Sequence, residues 1–308
     1  MTDDQCDDAD LQNIPMKPAR LFDARKVLIA FVLVGSLSCE NESLASEESD
    51  YAGPILDDKY FLIIGGFFPR IDSTVRVDST SGIRGSDFDL EDELGLDDSV
   101  ASPYLYFRWR FHPVHRVEIE YYELLREGAS IMQRDFREGN ISGSAGVGVR
   151  TSFDVRIGRI TYGYDIVKDQ KKEFGILAGM HVTSGKVQSE FFGDFTIDGV
   201  GSVSGAVATE EAGITFPLPH VGGFFAYSFT PEISTQLDLL LFRIEVAGIK
   251  GTLTEANATV HYQFAKNFGI GTGLKFYQFR LEDTGFSDRD SQFNYEFFGP
   301  VLYASASF

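Results

Sequence analysis

Apolar and polar residues alternate along much of this chain with a period of two. In 101–112, Leu105, Phe107, Trp109 and Phe111 share one face, and Tyr104, Tyr106, Arg108, Arg110 and His112 share the other. In 116–127, Val117, Ile119 and Tyr121 oppose Arg116, Glu118, Glu120 and Tyr122. In 252–264, Ala256, Ala258, Val260, Tyr262 and Phe264 oppose Glu255, Asn257, Thr259, His261 and Gln263. Successive side chains of a strand point to opposite faces, so each segment reads as a strand with one apolar and one polar side. No run sustains a helical period. The pattern predicts about ten strands, near 59–78, 101–112, 116–127, 147–167, 173–187, 217–229, 233–247, 252–264, 268–282 and 291–308. Eight remain if 233–247 and 252–264 lie outside the main sheet.

The connections fall into two alternating classes. Short ones lie near 113–115, 168–172, 230–232 and 265–267; longer ones lie near 79–100, 128–146, 188–216 and 283–290, with a brief one near 248–251 in the long series. Two strands change phase. Gln236 and Asp238 share a parity that Arg243 and Glu245 do not, which predicts a β-bulge near Leu239–Phe242 or a strand end. A similar switch falls near Gly158 in 147–167.

Alternation alone does not say which face is inside. A soluble, lipocalin-like barrel puts the apolar set inward, and a membrane barrel inverts the assignment. The N-terminus favours the second. Val27–Leu37 is an apolar run preceded by Lys17, Arg20, Arg25 and Lys26, too short to span a bilayer and built like a secretory signal. Ser43-Leu44-Ala45 predicts cleavage after Ala45. Residues 1–45 are then an extension and signal peptide, 46–57 a linker and 58–308 the barrel. Met1–Asp10 is acidic and Met16 offers an alternative start. Cys39, after Ser36-Leu37-Ser38, is a candidate for lipidation.

Composition is consistent with this reading. The chain has 308 residues with 28 Phe, 13 Tyr, 31 Gly and 1 Trp, and a mean hydropathy of -0.08. Alternating strands average their hydropathy to near zero in this way. A net charge of -19 argues against a nucleic-acid partner, whose phosphates need a basic surface. The two cysteines, Cys6 and Cys39, precede the barrel, and no sequence pattern calls for a cofactor.

The polar faces supply the candidate chemistry. A three-residue turn, Pro113-Val114-His115, would set His112 opposite Arg116, Arg110 opposite Glu118 and Arg108 opposite Glu120, all inward. Asp154, Arg156, His181, Glu255, His261 and Lys275 are expected to join this lumen network. Its plain role is structural fill that leaves no charge unpaired; clustered Glu, Arg and His also mark catalytic sites. No G-x-S-x-G elbow, H-E-x-x-H or P-loop is present, so no catalytic residue is assigned. The acidic run Asp87–Asp98 lacks EF-hand spacing. Asp87, Asp89 and Glu91 are its candidate ligands for a loosely held Ca²⁺ or Mg²⁺, against the alternative of a solvated acidic loop.

That run, followed by His115-Arg116-Val117-Glu118-Ile119-Glu120-Tyr121-Tyr122, resembles a group of proteobacterial outer-membrane β-barrel proteins of unassigned function, over roughly 60–185. The last strand adds Phe308, which resembles the closing signal of such barrels, with Ala304 and Ala306 where larger residues are usual. The resemblance implies an all-β, closed, antiparallel, up-and-down transmembrane barrel, integral to a bacterial outer membrane. Outer-membrane lipids, lipopolysaccharide and, through the last strand, the barrel-assembly machinery are the expected partners of a monomer. A structural or surface-interacting role with a mostly plugged lumen is expected. A narrow pore for small solutes and a lipid-modifying or proteolytic enzyme are the alternatives.

Overall fold

The computed structural model describes residues 56–77, 87–132, 136–138, 141–246, 248–283 and 291–308. Ala45, Cys6 and Cys39, with the signal-peptide and lipidation expectations attached to them, lie outside the described residues. The elements in order are β1 (Tyr60–Phe67), β2 (Arg70–Val77), β3 (Asp87–Asp89), α1 (Leu90–Leu94), β4 (Ser102–His112), β5 (His115–Ile131), β6 (Phe136–Glu138), β7 (Ile141–Gly143), β8 (Gly148–Lys168), β9 (Lys172–Ile197), β10 (Gly201–Ser228), β11 (Ile233–Val246), β12 (Ile249–Ala265), β13 (Phe268–Asp283) and β14 (Ser291–Ser307).

Antiparallel pairing runs β1-β4-β5-β8-β9-β10-β11-β12-β13-β14 and returns to β1. The ring is therefore a closed barrel of ten strands, not eight. β1 and β2 form one wall strand interrupted at Phe68-Pro69, and both pair with β14. The last residue takes part in closure: Tyr60 N–H donates to the Phe308 carbonyl at 2.9 Å, and Phe308 N–H donates back at 3.0 Å.

Outside, the ring carries an apolar belt. Leu62, Ile64, Leu105, Ile119, Ile160, Ile176, Met180, Val221, Leu239, Val260, Ile270 and Leu302 are exposed on it. At the short-turn end it is edged by exposed Tyr60, Trp109, Phe111, Tyr164, Phe174, Phe229, Tyr262, Phe264, Phe268 and Phe308. Aromatic rings of this kind settle at a membrane interface, with the body in hydrocarbon and any polar tip in water. The lumen face is the charged one, so the inverted assignment holds.

Three details depart from the sequence-based expectation. The first turn is tighter than the three-residue reading. Pro113 and Val114 alone form it, His112 pairs with His115, and a bulge lies between Arg110 and His112. Arg108 thus faces Glu118, Arg110 faces Arg116, and Tyr106 faces Glu120. Second, 188–216 is not a loop. β9 and β10 pair through most of it and turn only at 198–200. β9 keeps a buried face there, with Phe191 and Phe195 packed on Val147 and Val149, but most of β10 from 201 to 215 is exposed, so the alternation that marks a half-buried strand is lost. Third, β11 holds one register on β12 throughout, without a bulge. Its phase change has another cause: toward the long-loop end the lumen becomes apolar, with Leu240 and Phe242 inward, while Arg243 and Glu245 emerge above the belt. β8 does the same, with Thr151, Phe153, Val155, Ile157, Arg159, Thr161 and Asp165 all on the inner face.

Gly65 is a requirement of closure. A β-carbon there would run into the Leu302 carbonyl oxygen and the Tyr303 backbone of β14. Gly65→Val is expected to move the protein from the heat-modifiable folded band to the unfolded one on an unheated gel. Leu62→Val, on the lipid side of the same strand, should leave it folded.

Candidate functional site

Strand alternation sends charges from β4, β5, β8, β9, β11, β12 and β13 into one confined lumen, where they pair mostly with one another. Near the short-turn end, Arg110 binds Asp165 at 2.7 Å and Glu173 at 2.9 Å. Arg116 binds Glu118 at 2.9 Å and Glu173 at 3.3 Å, and its guanidinium lies 3.5 Å from the Phe224 ring centre. Arg108 lies over Phe61 at 5.0 Å. Lys168 reaches Glu173 at 3.1 Å and the carbonyl of Leu56 at 2.6 Å. Leu56 itself is fully buried against Ala226, filling this end of the barrel.

A second cluster crosses the waist. Glu255 receives Arg159 at 2.7 Å, Lys275 at 2.8 Å and His181 at 2.8 Å. Glu120 receives the same Arg159 at 2.5 Å and Lys275 at 2.6 Å. Two carboxylates thus face two cations, and His220 extends the chain from His181 (3.1 Å) to Thr161 (3.1 Å). Buried charges are tolerated when they are paired and hydrogen-bonded in this way.

Above the waist the lumen turns apolar. Tyr122, Tyr277 and Phe297 cluster there, with Tyr277 and Phe297 stacked at 4.7 Å. Beside them lies a chamber of about 320 Å³. Phe153, Val155, Ile157, Phe216, Phe279 and Tyr295 supply most of its surface, and Gly185 leaves room on one wall. The acidic segment then tucks across the barrel mouth. Asp89 caps α1 by accepting from Asp92 N–H at 2.9 Å. Glu91 binds Arg126 and accepts from the Ser73 hydroxyl at 2.6 Å. Leu90, Leu94 and Leu96 pack on the core beneath.

The sequence-predicted residues divide accordingly. Arg108, Arg110, Glu118, Glu120, His181, Glu255, His261 and Lys275 are buried in the lumen. His261 stands apart from the ion pairs, stacked on Tyr303 at 6.1 Å. His112 is exposed at the turn, where the two-residue connection leaves it outside the lumen. Asp154 and Arg156 lie on the outer face above the belt, beside Glu123. Their even parity on β8 decides this, because the phase switch expected at Gly158 does not occur. Of the candidate cation ligands, Asp87 opens β3, Asp89 is a helix cap and Glu91 is engaged by Arg126. Among the described residues no group of three or more acidic, His or Cys side chains is placed to share a metal ion. Arg116, read as inward from the first hairpin, is in the lumen too, and Arg126, Arg159, Asp165, Glu173, His220 and Asp238 are lumen residues that the sequence reading misses. Arg159 and Asp165 share the parity of Phe153 and Val155, a clue hidden by the change from apolar to charged along one face.

Closed ring, apolar belt and internally neutralised lumen define an integral β-barrel of the outer-membrane class. The comparisons agree on the fold. The Escherichia coli outer membrane protease OmpT superposes with a TM-score of 0.54 at 11% identity, over 86% of this chain and 100% of that one. The Pseudomonas aeruginosa outer membrane protein OprG (TM-score 0.35, 12% identity, 84% and 99% covered) and the Pseudomonas putida toluene transporter TodX (0.32, 11%, 86% and 95%) are more distant. No family model matches the chain, and no curated protein does.

Glu255 is the hub, so its loss leaves Arg159 and Lys275 to share Glu120 alone, with one buried positive charge in excess. Glu255→Ala is expected to destabilise the barrel by about 3–5 kcal/mol, read as a lower urea midpoint in lipid vesicles. The loop pair Arg70–Asp98 provides the contrast. Arg70 donates at 2.8 Å, and this hydrogen bond holds the Asp98 carboxyl below its usual range. A depressed folded-state pKa gives stability above the ordinary carboxylate range that is lost as pH falls through the depressed value. Both side chains are largely exposed, so the pair contributes under about 1 kcal/mol. Asp98→Asn should leave the same midpoint nearly unchanged.

Proposed function

We propose that this protein is a non-conducting outer-membrane barrel with a structural and surface-interacting role. The observation that carries this reading is the layer at the waist, where Arg159, Lys275, Glu120 and Glu255 are all buried and joined across the lumen. Small barrels fill their interior with side chains, and wide aqueous channels need about 16 strands. Leu56 and the Lys168 contacts add a second obstruction below. The tall β9–β10 hairpin and the acidic segment around α1 are then the parts offered to the outside, with lipopolysaccharide and neighbouring lipids as the proposed contacts. The last strand, ending at Phe308, is the proposed contact of the assembly machinery, and the barrel works as a monomer.

Planar-bilayer recording tests the lumen. The folded protein should give no resolved conductance steps at high salt. Regular steps from the unmodified protein would establish the narrow pore instead.

A further inference from the structure

The β10–β11 seam is open from the upper margin of the belt. β11 pairs with β10 only from Ser234 to Leu241, opposite Ser228 to Val221. Beyond that, β10 pairs only with β9, and β11 only with β12, among the described residues. The cause is in the sequence. Ser228 N–H is directed to Lys171 at the foot of β9, and Phe229 N–H to Ile233 of β11. Odd-numbered residues of β10 therefore address β11, and Pro217 and Pro219 are the odd positions next above Val221. Proline has no N–H, so two consecutive ladder bonds to β11 are missing. Their partners on β9 are Val182 and Met180, which are exposed on the belt, so the gap starts at the belt's upper margin. Arg243 stands exposed on the outer side of β11, two residues above Leu241.

The chamber adjoins this gap. Its wall includes Ile214 and Phe216 of β10, the strand that borders the seam, and Phe216 stacks on Phe279 at 5.4 Å. At about 320 Å³ it is roughly twice the size of an engineered apolar cavity that binds benzene. We propose that the chamber takes one hydrocarbon chain of an outer-leaflet phospholipid, admitted sideways through the β10–β11 seam, with Arg243 beside the phosphate. The apolar walls suit the chain, the seam opens at the depth where chains meet headgroups, and a cation marks that level.

The test uses the full barrel in nanodiscs. The native tryptophan is removed by Trp109→Phe, and Phe279→Trp puts a reporter in the chamber. Phospholipid brominated along its acyl chains is expected to quench this reporter several-fold more than in the same protein carrying Gly185→Phe. That substitution fills the chamber, because a β-carbon at Gly185 meets only Phe153, at 3.9 Å. Pro217→Thr with Pro219→Thr restores both donors and should reduce quenching to the filled-chamber level. Equal quenching with and without Gly185→Phe would overturn the proposal. So would quenching by a free bromoalkane that persists after the seam is restored, since the chamber would then take apolar molecules from water. If a variant loses heat-modifiable mobility, native mass spectrometry of the unmodified protein decides: a retained phospholipid is expected, and a lipid-free barrel would reject the idea.

Discussion

Hydrocarbon offers a backbone no hydrogen-bond partner, so every strand that crosses the bilayer must find its partners in neighbouring strands. The rest of this structure follows from that requirement. The ring has to close, which brings Phe308 against Tyr60 and makes a glycine necessary at position 65. Closure then fixes the inside. Each strand alternates, so the residues that do not face lipid must face one another in a narrow lumen. Charges that would be ordinary on a surface become a neutralised layer, with Glu255 and Glu120 sharing Arg159 and Lys275.

The same requirement lapses above the membrane, and the architecture changes there. β9 and β10 rise beyond the belt, β9 still paired to β8 as far as Phe192 and then to β7, while β10 is left largely exposed. The prolines at 217 and 219 sit at the height where a missing donor stops being prohibitive. A proline pair lower in the belt would leave backbone groups of β11 unpaired in lipid. The lumen changes character at a similar height, from ion pairs to aromatic walls, and α1 closes over it through Glu91 and Arg126. The barrel is thus layered along its axis: a lower half filled with paired charges and an upper half with apolar walls and a chamber.

The likeness to OmpT concerns the shape of the wall. The His181–Glu255 contact shows why side-chain identity alone is a weak guide to chemistry in such a protein. An acid, a base and a second histidine lie within hydrogen-bond reach, yet they sit below the chamber, tied to cations on both sides.

Much of this was written in the chain. Period-two alternation and the short and long connections give a barrel wall with one apolar and one charged face, because a strand can present only two faces, and the exposed belt with its aromatic edge puts the charged face inward. The lumen positions of Arg108, Glu118, Glu120, Glu255 and Lys275 follow from parity alone. Partners do not. The register at Pro113-Val114 depends on one bulge, and it moves Arg108 from Glu120 to Glu118. Asp154 and Arg156 face outward, against expectation, because a local pattern cannot tell a phase change from a change of surroundings along the barrel axis. The meeting of Lys275 with Glu120, 155 residues apart, exists only once ten strands have closed. So does the chamber, whose walls come from opposite sides of the ring. Sequence parity grouped side chains by face; the tertiary structure decided which face lines the lumen at each height and what each side chain meets, because only closure sets distance across a lumen.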